Sequence, residues 1–483
     1  MNTYKHLYEI YISDENITES AHDATLGKIK HEFLQEIKAD TDRFRPSIRR
    51  WANDFYNSYH KPIQIYDGIT RKKRTIIVPS DKEQIVHHMI INPIRPMIMR
   101  SMYEHAYGSV PGKGAEKCAG YIKRAIRNHP KDCKYCLKMD IRHYFDSIDR
   151  KILKTKLKRK IADEKFFTKI CLVIEYDKLG EILHISKMKG ISELFSCGRP
   201  TDLWFEFQEA VALDNLSYAQ KIIRSLFIPW SLRETLETIA ISERRGIPLG
   251  FYTSQWLSQF FLEDLDHFIK EQLGAKFYWR YVDDMVIFGR SKRKLHNTER
   301  AIEEFLQGEN LQMKGNWQVF RFDYIGTDGK HHGRDLDFLG YRFFCDRTTL
   351  RRSIMLKCTR KAARIYKKGD FTAYDSRQML SYLGRIDHSD TYNMYLEWVK
   401  PIVNIKKCKR KVSAYDKARK GNTCTQREAT RNQKQPTPRA QPSITTTDPE
   451  SQSRKSQMSR QGSRTRSTPT QKKRSPRISG ASS

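Results

Sequence analysis

Two neighbouring aspartates, Asp283 and Asp284, interrupt an otherwise apolar stretch of the chain, FYWRYVDDMVIFG over residues 277–289. Strand interiors rarely hold such a pair, so the stretch predicts two strands joined by a tight turn that carries the acids. Two carboxylates on a hairpin tip repel each other unless a cation lies between them, and Mg²⁺ is the usual cation where phosphates are handled. The stretch therefore predicts a magnesium-binding turn.

A third aspartate, Asp140, ends another apolar segment, CLKM over residues 136–139. Taken alone, Asp140 is equally well explained as the N-cap of a helix. Together with Asp283 and Asp284 it predicts a site for two Mg²⁺ ions, or Mn²⁺ in their place, that supports in-line attack on a phosphate. One ion would activate a 3′-hydroxyl, and the other would hold the triphosphate and the leaving oxygen. These three aspartates are the predicted catalytic residues.

A turn of small residues, RGIPLGFYTSQ over residues 245–255, precedes an apolar segment that predicts a helix from Trp256 to Phe268. Its glycines would let the backbone approach a base pair closely, although an ordinary turn and cap would give the same pattern. A second glycine-rich segment, YGSVPGKG over residues 107–114, lacks the spacing of an ATPase phosphate loop. Residues 245–255 are therefore the better candidate for contact with a nucleic acid.

The elements around these segments predict a protein of mixed helix and sheet. A helix from Lys82 to about Met102 is expected to be interrupted near Pro93 and Pro96, because proline removes a helical hydrogen bond. The other expected elements are helices over residues 1–60, a β-hairpin with a turn at Asp67-Gly68 and a basic tip over 63–79, a short β unit over 334–350 and helices over 352–400.

The charge of the chain points to a polyanionic partner. The 483 residues include 89 Lys and Arg against 56 Asp and Glu, a formal net charge of +33. Residues 411–483 hold 17 basic and 4 acidic side chains, so most of the excess lies in the first 410 residues. Such a field favours phosphate backbones. The last segment is rich in Ser, Thr, Pro and Gln, and it is expected to be disordered because it has too few apolar residues to form a core.

Several classes are disfavoured by the composition. No run of 18 apolar residues predicts a membrane helix, and the first residues do not resemble a signal peptide. Nine scattered cysteines suit a reducing cytoplasm. The one close pair, Cys133 and Cys136, is expected to pack in a core, because no second Cys or His pair at ligand spacing accompanies it.

Taken in chain order, the motifs resemble the bacterial reverse transcriptases of retrons, group II introns and diversity-generating retroelements, over about residues 20–400. Several motifs in the order typical of the family identify it far more specifically than any single motif does. They are the fingers segment from Lys72-Lys73-Arg74 to His87-His88, the Tyr107–Gly114 loop with Ala106 in place of the usual Ser, the first metal-ligand strand at Asp140–Ile148, the template-grip turn at Gly246–Gln255, the Y-x-D-D box at Tyr281–Asp284, the primer grip at Gly333–Tyr341 and a thumb-like segment at Ser381–Gly384.

The resemblance implies an α+β fold of the right-hand polymerase type, with an antiparallel palm sheet plus helices. The implied domains are N-terminal helices and fingers over residues 1–136, a palm over 137–345 with an insertion at about 178–235, a helical thumb over 346–410 and a disordered basic tail over 411–483. The resemblance offers no account of the insertion.

The resemblance also implies roles for individual residues. Phe145 matches the bulky ring that excludes a 2′-hydroxyl, the Ile141 carbonyl matches a backbone metal ligand, and Lys314 is a candidate for the acid that protonates pyrophosphate. The implied nucleotide-binding residues are Arg74, Lys82, Phe145, Leu249, Gly250 and Lys314. The implied primer and template contacts are Gly246, Pro248, Ser254, Gln255, Tyr281, Phe338, Leu339 and Gly340.

Two departures from the family pattern matter. Glu83-Gln84 stands where the family usually has Asp-Arg, which leaves Lys82 as the candidate for the second triphosphate contact. Leu249 stands where retrons and group II introns usually have Gln, and the pattern from Leu249 to Gln255 is closest to the diversity-generating retroelements, whose enzymes copy adenines with low accuracy.

The expected function is RNA-templated DNA synthesis with an RNA template, a DNA or RNA primer, dNTPs and a small basic accessory protein as partners, in the cytoplasm and away from membranes. The alternatives are an antiphage reverse transcriptase that makes DNA with or without a template, and a catalytically silent RNA-binding scaffold.

Overall fold

The computed structural model of the chain describes residues 3–28, 31–54, 60–66, 73–190, 203–370 and 372–418. These residues form the mixed helix and sheet fold that the sequence predicted. Within the described ranges, no helix is both long enough and apolar enough to cross a membrane.

The N-terminal region is helical, as its apolar spacing predicted. Helices α1, α2 and α4 pack against the long helix α5, and α3 packs against α2 and α4. The bounds are α1 Leu7–Tyr11, α2 Asp14–Ala24, α3 Glu32–Ala39, α4 Thr41–Asn53 and α5 Asp81–Ser101.

The prediction that prolines interrupt α5 is wrong. Both Pro93 and Pro96 lie inside one continuous helix. Pro93 has no N–H to donate to the carbonyl of Met89, one turn earlier. The buried side chain of Asn16 supplies the missing donor, since its Nδ2 lies 3.0 Å from the Met89 oxygen. A long-range contact thus satisfies the helix at its weakest point.

The predicted basic hairpin is present as strands β1 (Ile63–Tyr66) and β2 (Lys73–Ile76), which pair antiparallel. The predicted turn at Asp67-Gly68 and the tip residues Arg71 and Lys72 lie outside the described residues.

The central sheet has five strands in the order β3-β5-β6-β4-β7, with β3 parallel to β5 and the other pairs antiparallel. Both faces are covered. Met285 and Ile287 of β6 point into one core, which they share with helix α16, while Val286 and Phe288 point into a second core with helix α6. The bounds are β3 Ala106–Tyr107, α6 Ala115–Asn128, β4 Tyr135–Asp140, β5 Phe277–Tyr281, β6 Asp284–Gly289, α16 Lys292–Gly308 and β7 Gln318–Arg321.

The described residues of the expected insertion at about 178–235 form helices joined by short connections. Its helices pack on one another and on the helix before them, and their apolar residues join the core that includes α16. Residues 191–202 lie outside the description. The helices between β4 and β5 are α7 Tyr144–Ser147, α8 Arg150–Lys160, α9 Glu164–Ile174, α10 Tyr176–Met188, α11 Leu203–Ala212, α12 Leu216–Ser225, α13 Trp230–Ile241, α14 Tyr252–Phe261 and α15 Glu263–His267, followed by a π-helical turn at Phe268–Gln272.

A small hairpin, a three-stranded sheet and a group of helices follow the central sheet. The hairpin is β8–β9, the sheet has the order β10-β11-β12, and the helices occupy the predicted thumb region. Their bounds are β8 Tyr324–Ile325, β9 His331–His332, β10 Leu336–Phe338, β11 Tyr341–Phe343, β12 Thr348–Leu350, α17 Arg352–Lys368, α18 Ala373–Asp387 and α19 Tyr392–Trp398.

The expected start of disorder at residue 411 needs correction. A helix covers residues 405–418, and charged groups hold it to α18 and to the segment just after α17. Lys411 pairs with Asp370 at 2.8 Å, and Arg377 pairs with Asp416 and lies over the ring of Tyr415. Residues 419–483 lie outside the described residues.

Candidate active site

The two adjacent aspartates lie where β5 turns into β6. Tyr281 pairs with Asp284, so Val282 and Asp283 form a two-residue turn. Val282 has a φ of 58°, which is rare for a β-branched residue, and Asp283 does not share a positive φ. A positive φ at the first turn residue alone corresponds to a type II′ turn, which suits the twist of a hairpin. The sequence prediction of a tight turn is confirmed, with Asp284 as the first residue of β6.

The third aspartate joins the other two through strand register. Asp140, the last residue of β4, is the direct partner of Asp284 across the sheet. Burial, and then the charges of Asp284 and Asp140, raise the pKa of Asp283 to about 7. Burial and then the charge of Asp140 raise the pKa of Asp284 to about 6, while Lys138, Lys314 and Arg351 oppose that rise. Three carboxylates thus share one partly buried place, where a cation would relieve their repulsion.

Lys314 lies against this group. The segment before it pairs with the end of β4, because the amide of Lys314 donates to the carbonyl of Asp140 at 2.9 Å and Arg142 donates to Gln312 at 2.9 Å. Ile141, between them, is buried and bridges to Met313. The Nζ of Lys314 donates to the Asp140 carboxylate, and this bond raises the pKa of Lys314.

The glycine-rich loop after β3 supports the Val282–Asp283 turn. Gly108 has a φ of +93°, and a Cβ there would lie 2.6 Å from Cγ2 of Val282. The amide of Val282 donates to the carbonyl of Tyr107 at 2.9 Å. Gly108 is therefore required by the close approach of the turn, which explains the glycine in a loop that has no phosphate-loop spacing.

A buried polar network holds the turn from the other side. Arg280 and Asp266 are both fully buried and form a bidentate ion pair, and Tyr278 adds a hydrogen bond to Asp266 at 2.7 Å. Arg280 Nη1 donates to the carbonyl of Val282 at 2.9 Å and to Gln259 Oε1 at 2.8 Å. Sequence reasoning missed this network, although a lone Arg between strand apolar residues was a usable signal for a buried partner.

The amide of Gln259 connects this network to the loop. Its Nε2 donates to the carbonyl of Gly108 at 2.9 Å and to that of Tyr107 at 3.3 Å. The loop, helix α14 and the Val282–Asp283 turn are therefore linked by hydrogen bonds through two buried side chains, Gln259 and Arg280.

The predicted template-grip turn lies against the Phe145 segment and the fingers hairpin. Gly246, with a φ of +84°, lies so close to Asp146 that a Cβ would be 2.9 Å from its backbone. Gly250, with a φ of +119°, would place a Cβ 2.2 Å from the carbonyl of Ile77 just after β2. The Ile77 amide also donates to the Leu249 carbonyl at 2.8 Å. Both glycines are fixed by backbone approach, which an ordinary helix cap does not require.

The remaining predicted residues of this turn differ in exposure. Pro248 and Ser254 are buried, whereas Leu249 and Gln255 are partly exposed. Ser254 lies beside Thr253, whose hydroxyl meets Nδ1 of His87 at 2.9 Å and so ties α14 to α5.

The predicted nucleotide contacts lie on three elements. Phe145 is partly exposed on α7, and its carbonyl accepts from Ile247 at 2.9 Å, so its backbone is held next to the grip turn. Arg74 is exposed on β2. Lys82 is exposed on α5 and lies over the ring of Trp51.

The substituted pair Glu83-Gln84 is occupied in structural contacts. Glu83 completes a capping box with Ser80 and pairs with His60 at 2.9 Å, and the His60 and Ser80 contacts lower the pKa of Glu83 to about 2 against its burial. Gln84 Nε2 donates to the carbonyl of Pro79 at 3.1 Å. Neither side chain is therefore free to contact a triphosphate.

The predicted primer grip is a turn between β10 and β11. Phe338 is buried and pairs with Tyr341, and the turn residues Leu339 and Gly340 have φ values of 55° and 87°. Arg385 of α18 donates to the Leu339 carbonyl at 3.3 Å.

This turn is also tied to β4, the strand that ends in Asp140. Lys138, two residues before Asp140, donates from Nζ to the carbonyl of Asp337 at 2.7 Å. Arg351 donates to the Asp337 carboxylate at 2.9 Å. The β10–β12 sheet therefore joins the aspartates to the thumb-region helices, and Lys138 is a second residue that sequence reasoning missed.

Comparisons with known proteins bear on this site. Residues 204–343 match the family described as reverse transcriptase (RNA-dependent DNA polymerase). The matched segment includes the grip turn, Asp283, Asp284 and the β10–β11 turn, and it does not include Asp140. No curated protein matches the chain.

Solved structures with a similar arrangement include two yeast telomerases. Apo telomerase from Candida tropicalis has 12% identity and a TM-score of 0.32, over 65% of this chain and 52% of that chain. Telomerase from Candida albicans, in complex with the TWJ fragment of telomeric RNA, has 12% identity and a TM-score of 0.34, over 76% of this chain and 61% of that chain. The chain thus spans little more than half the length of these proteins.

Residues 204–343, less than a third of the chain, thus match a reverse transcriptase domain model within a mixed helix and sheet fold.

Proposed function

We propose that this chain extends a DNA or RNA primer with dNTPs on an RNA template, with Asp140, Asp283 and Asp284 as ligands for two divalent ions. The observation that carries the proposal is the register of β4 against β6, which pairs Asp140 with Asp284 beside the Asp283 turn. The family match supports RNA as the template. Intact carboxylates on a braced turn favour an enzyme over a silent RNA-binding scaffold.

The donor chemistry of the site fits magnesium. Carboxylate oxygens, with the carbonyl of Ile141 as a candidate backbone ligand, are the hard donors that Mg²⁺ prefers, and Mn²⁺ would substitute. The raised pKa values of Asp283 and Asp284 indicate that these buried carboxylates repel each other when charged, and a bound cation would offset that repulsion. Bound ions would activate the 3′-hydroxyl and neutralise the triphosphate.

The side chains around the aspartates have proposed roles of their own. Lys314 would release Asp140 and donate a proton to the leaving pyrophosphate, which its contact with Asp140 supports. Phe145 would exclude a 2′-hydroxyl, and Arg74 and Lys82 would contact the triphosphate. The grip turn at Gly246–Gln255 would hold the template, with Leu249 and Gly250 next to the nascent pair.

On the opposite side, Tyr281 and the Phe338–Gly340 turn would hold the primer. The bonds from Lys138 and Arg385 to this turn support that role, since they fix its distance from the aspartates and from the thumb region.

Primer extension on a defined RNA tests the proposal. Asp283→Asn should lower Mg²⁺-dependent dNTP incorporation by orders of magnitude while thermal unfolding stays cooperative. Asp132→Asn is the matched control, because Asp132 pairs with Arg290 near the opposite end of the same sheet. Equal incorporation by the two variants would refute the assignment.

We further propose that the enzyme belongs to a diversity-generating retroelement. The pattern from Leu249 to Gln255 supports this, since the side chain of Leu249 has no donor or acceptor with which to hold a nascent pair. A lost contact of ~1.4 kcal/mol would change discrimination about tenfold. Sequencing of cDNA should show excess errors opposite template adenine that Leu249→Gln reduces. Equal error rates at all four bases would reject the retroelement type and leave the polymerase intact.

We propose that the reaction takes place in the cytoplasm. The seven described cysteines are all free thiols, which supports a reducing cytoplasm. The basic chain would bind RNA and primer phosphates, and a small basic accessory protein could share that RNA.

A further inference from the structure

A compact group of four side chains lies away from the catalytic aspartates, where the segment after β7, the β8–β9 hairpin and the β11–β12 turn meet. The group consists of Asp323, His331, Cys345 and Asp346. One donor atom from each lies within 4.8 Å of the other three. The family resemblance and the proposed reaction give none of these residues a role.

The geometry points to a structural transition-metal site, and we propose that these four side chains bind one Zn²⁺ ion. Nitrogen, sulfur and carboxylate oxygen in one set suit Zn²⁺, whereas Mg²⁺ prefers oxygen alone. Four protein donors fill a tetrahedral shell and leave no open position, which is typical of structural rather than catalytic zinc.

The burial and contacts of the group support this assignment. Asp323 is only 6% exposed, and its carboxylate lies 3.0 Å from Nδ1 of His331. Asp346 lies 3.6 Å from Nε2 of the same ring. The backbone amide of Cys345 donates to Asp323 at 2.9 Å, which fixes the thiol residue beside the buried carboxylate.

The hairpin explains why a metal would be useful there. Strands β8 and β9 have two residues each, and all four residues are exposed. An isolated two-stranded hairpin is marginally stable in water, because it buries little apolar surface. A bound ion would join the hairpin to the β10–β12 sheet through side chains from three chain segments. That sheet carries the proposed primer grip.

Arg347 makes hydrogen bonds to two of these side chains that would compete with metal binding. Its Nη1 lies 3.0 Å from Nε2 of His331 and 2.8 Å from Asp346. In a metal-free protein these bonds, with the His331–Asp323 bond, would hold the group together without an ion. Zinc binding would require Arg347 to turn outward, which its partial exposure permits.

Metal binding to the full chain tests the proposal. Excess Mg²⁺ keeps the catalytic carboxylates supplied, and Zn²⁺ is then measured with a chromophoric competitor. One equivalent should bind, and Co²⁺ in its place should show a thiolate-to-cobalt absorption band. Cys345→Ser should abolish the band, and His331→Gln should weaken binding at least about tenfold.

Two control variants replace a His and a Cys that do not belong to the four-residue group. His332 is the next residue and pairs with Asp328, and Cys133 is buried beside β4. His332→Gln and Cys133→Ala should bind Zn²⁺ as the wild type does. Hydrogen exchange across residues 324–332 should slow on zinc addition in the wild type and not in Cys345→Ser. The proposed site would be refuted if the cobalt band survived in Cys345→Ser. It would also be refuted if His331→Gln and His332→Gln weakened zinc binding equally. Neither result would bear on the polymerase.

Discussion

Gly108 is the position where one added methyl group should disable the active site and spare the rest of the fold. A Cβ there would lie 2.6 Å from Cγ2 of Val282, and Cβ atoms keep ordinary contacts at 3.4 Å or more. Val282 is β-branched, so its side chain has few alternative rotamers. The methyl group can be accommodated only if the turn moves, and Asp283 moves with it.

The magnitude follows from two separate costs. An alanine in the left-handed region costs ~1–2 kcal/mol of stability. Relief of the clash requires a shift of roughly 0.8 Å in the turn, and a misplacement of ~1 Å costs about 100-fold in rate. Gly108→Ala should therefore lower the single-turnover incorporation rate by ~10²-fold, with a loss of stability of only ~1–2 kcal/mol.

Gly112 provides the matched control, because it lies in the same loop with a φ of +71° and would place a Cβ with nothing within 4 Å. Gly112→Ala should lose similar stability and keep its rate. The double variant Gly108→Ala with Val282→Ala removes the clashing Cγ2 and should regain rate relative to Gly108→Ala. Equal rates for Gly108→Ala and Gly112→Ala would refute the reasoning.

The remaining predictions concern stability, protonation and sugar choice. Asn16→Ala should lower the free energy of unfolding by ~1–3 kcal/mol, because it leaves the buried Met89 carbonyl without a donor; exposed Thr18→Ala on the same helix should be near neutral in urea titrations. The Mg²⁺ concentration that gives half-maximal rate should decrease as the pH is raised from 6 to 8. The raised pKa values of Asp283 and Asp284 mean that Mg²⁺ must compete with protons at the lower pH. The same concentration at both pH values would contradict this. Phe145→Val should raise rNTP use relative to dNTP use in single-nucleotide incorporation, and unchanged discrimination would reject its steric role.

Local patterns were enough to predict the strands that carry the acids. The apolar segments before Asp140 and around Asp283 form β4, β5 and β6 where their composition placed them. What they could not predict is the register that pairs Asp140 with Asp284, since these residues are far apart in sequence and only the fold brings them together.

Long-range contacts account for the main failures. Pro93 and Pro96 predicted a break in α5 that does not occur. The donor for the Met89 carbonyl comes from Asn16 on another helix, so the local sequence does not reveal it. Residues 411–418 were expected to be disordered but are helical, because Lys411 pairs with Asp370 just after α17 and Asp416 pairs with Arg377 on α18. Likewise, the role of Gly250 depends on Ile77, which no spacing within residues 245–255 reveals.

Asp140 is the most direct test of the central claim, because it lies outside the family match and its place in the site rests on strand register alone. The measurement is the single-turnover rate of one dNTP added to a primer on RNA with saturating Mg²⁺, for the wild type, Asp140→Asn and the control Asp132→Asn. Loss of orders of magnitude in Asp140→Asn alone, with unfolding still cooperative, is the predicted result. A rate for Asp140→Asn close to that of the wild type would contradict a three-aspartate site.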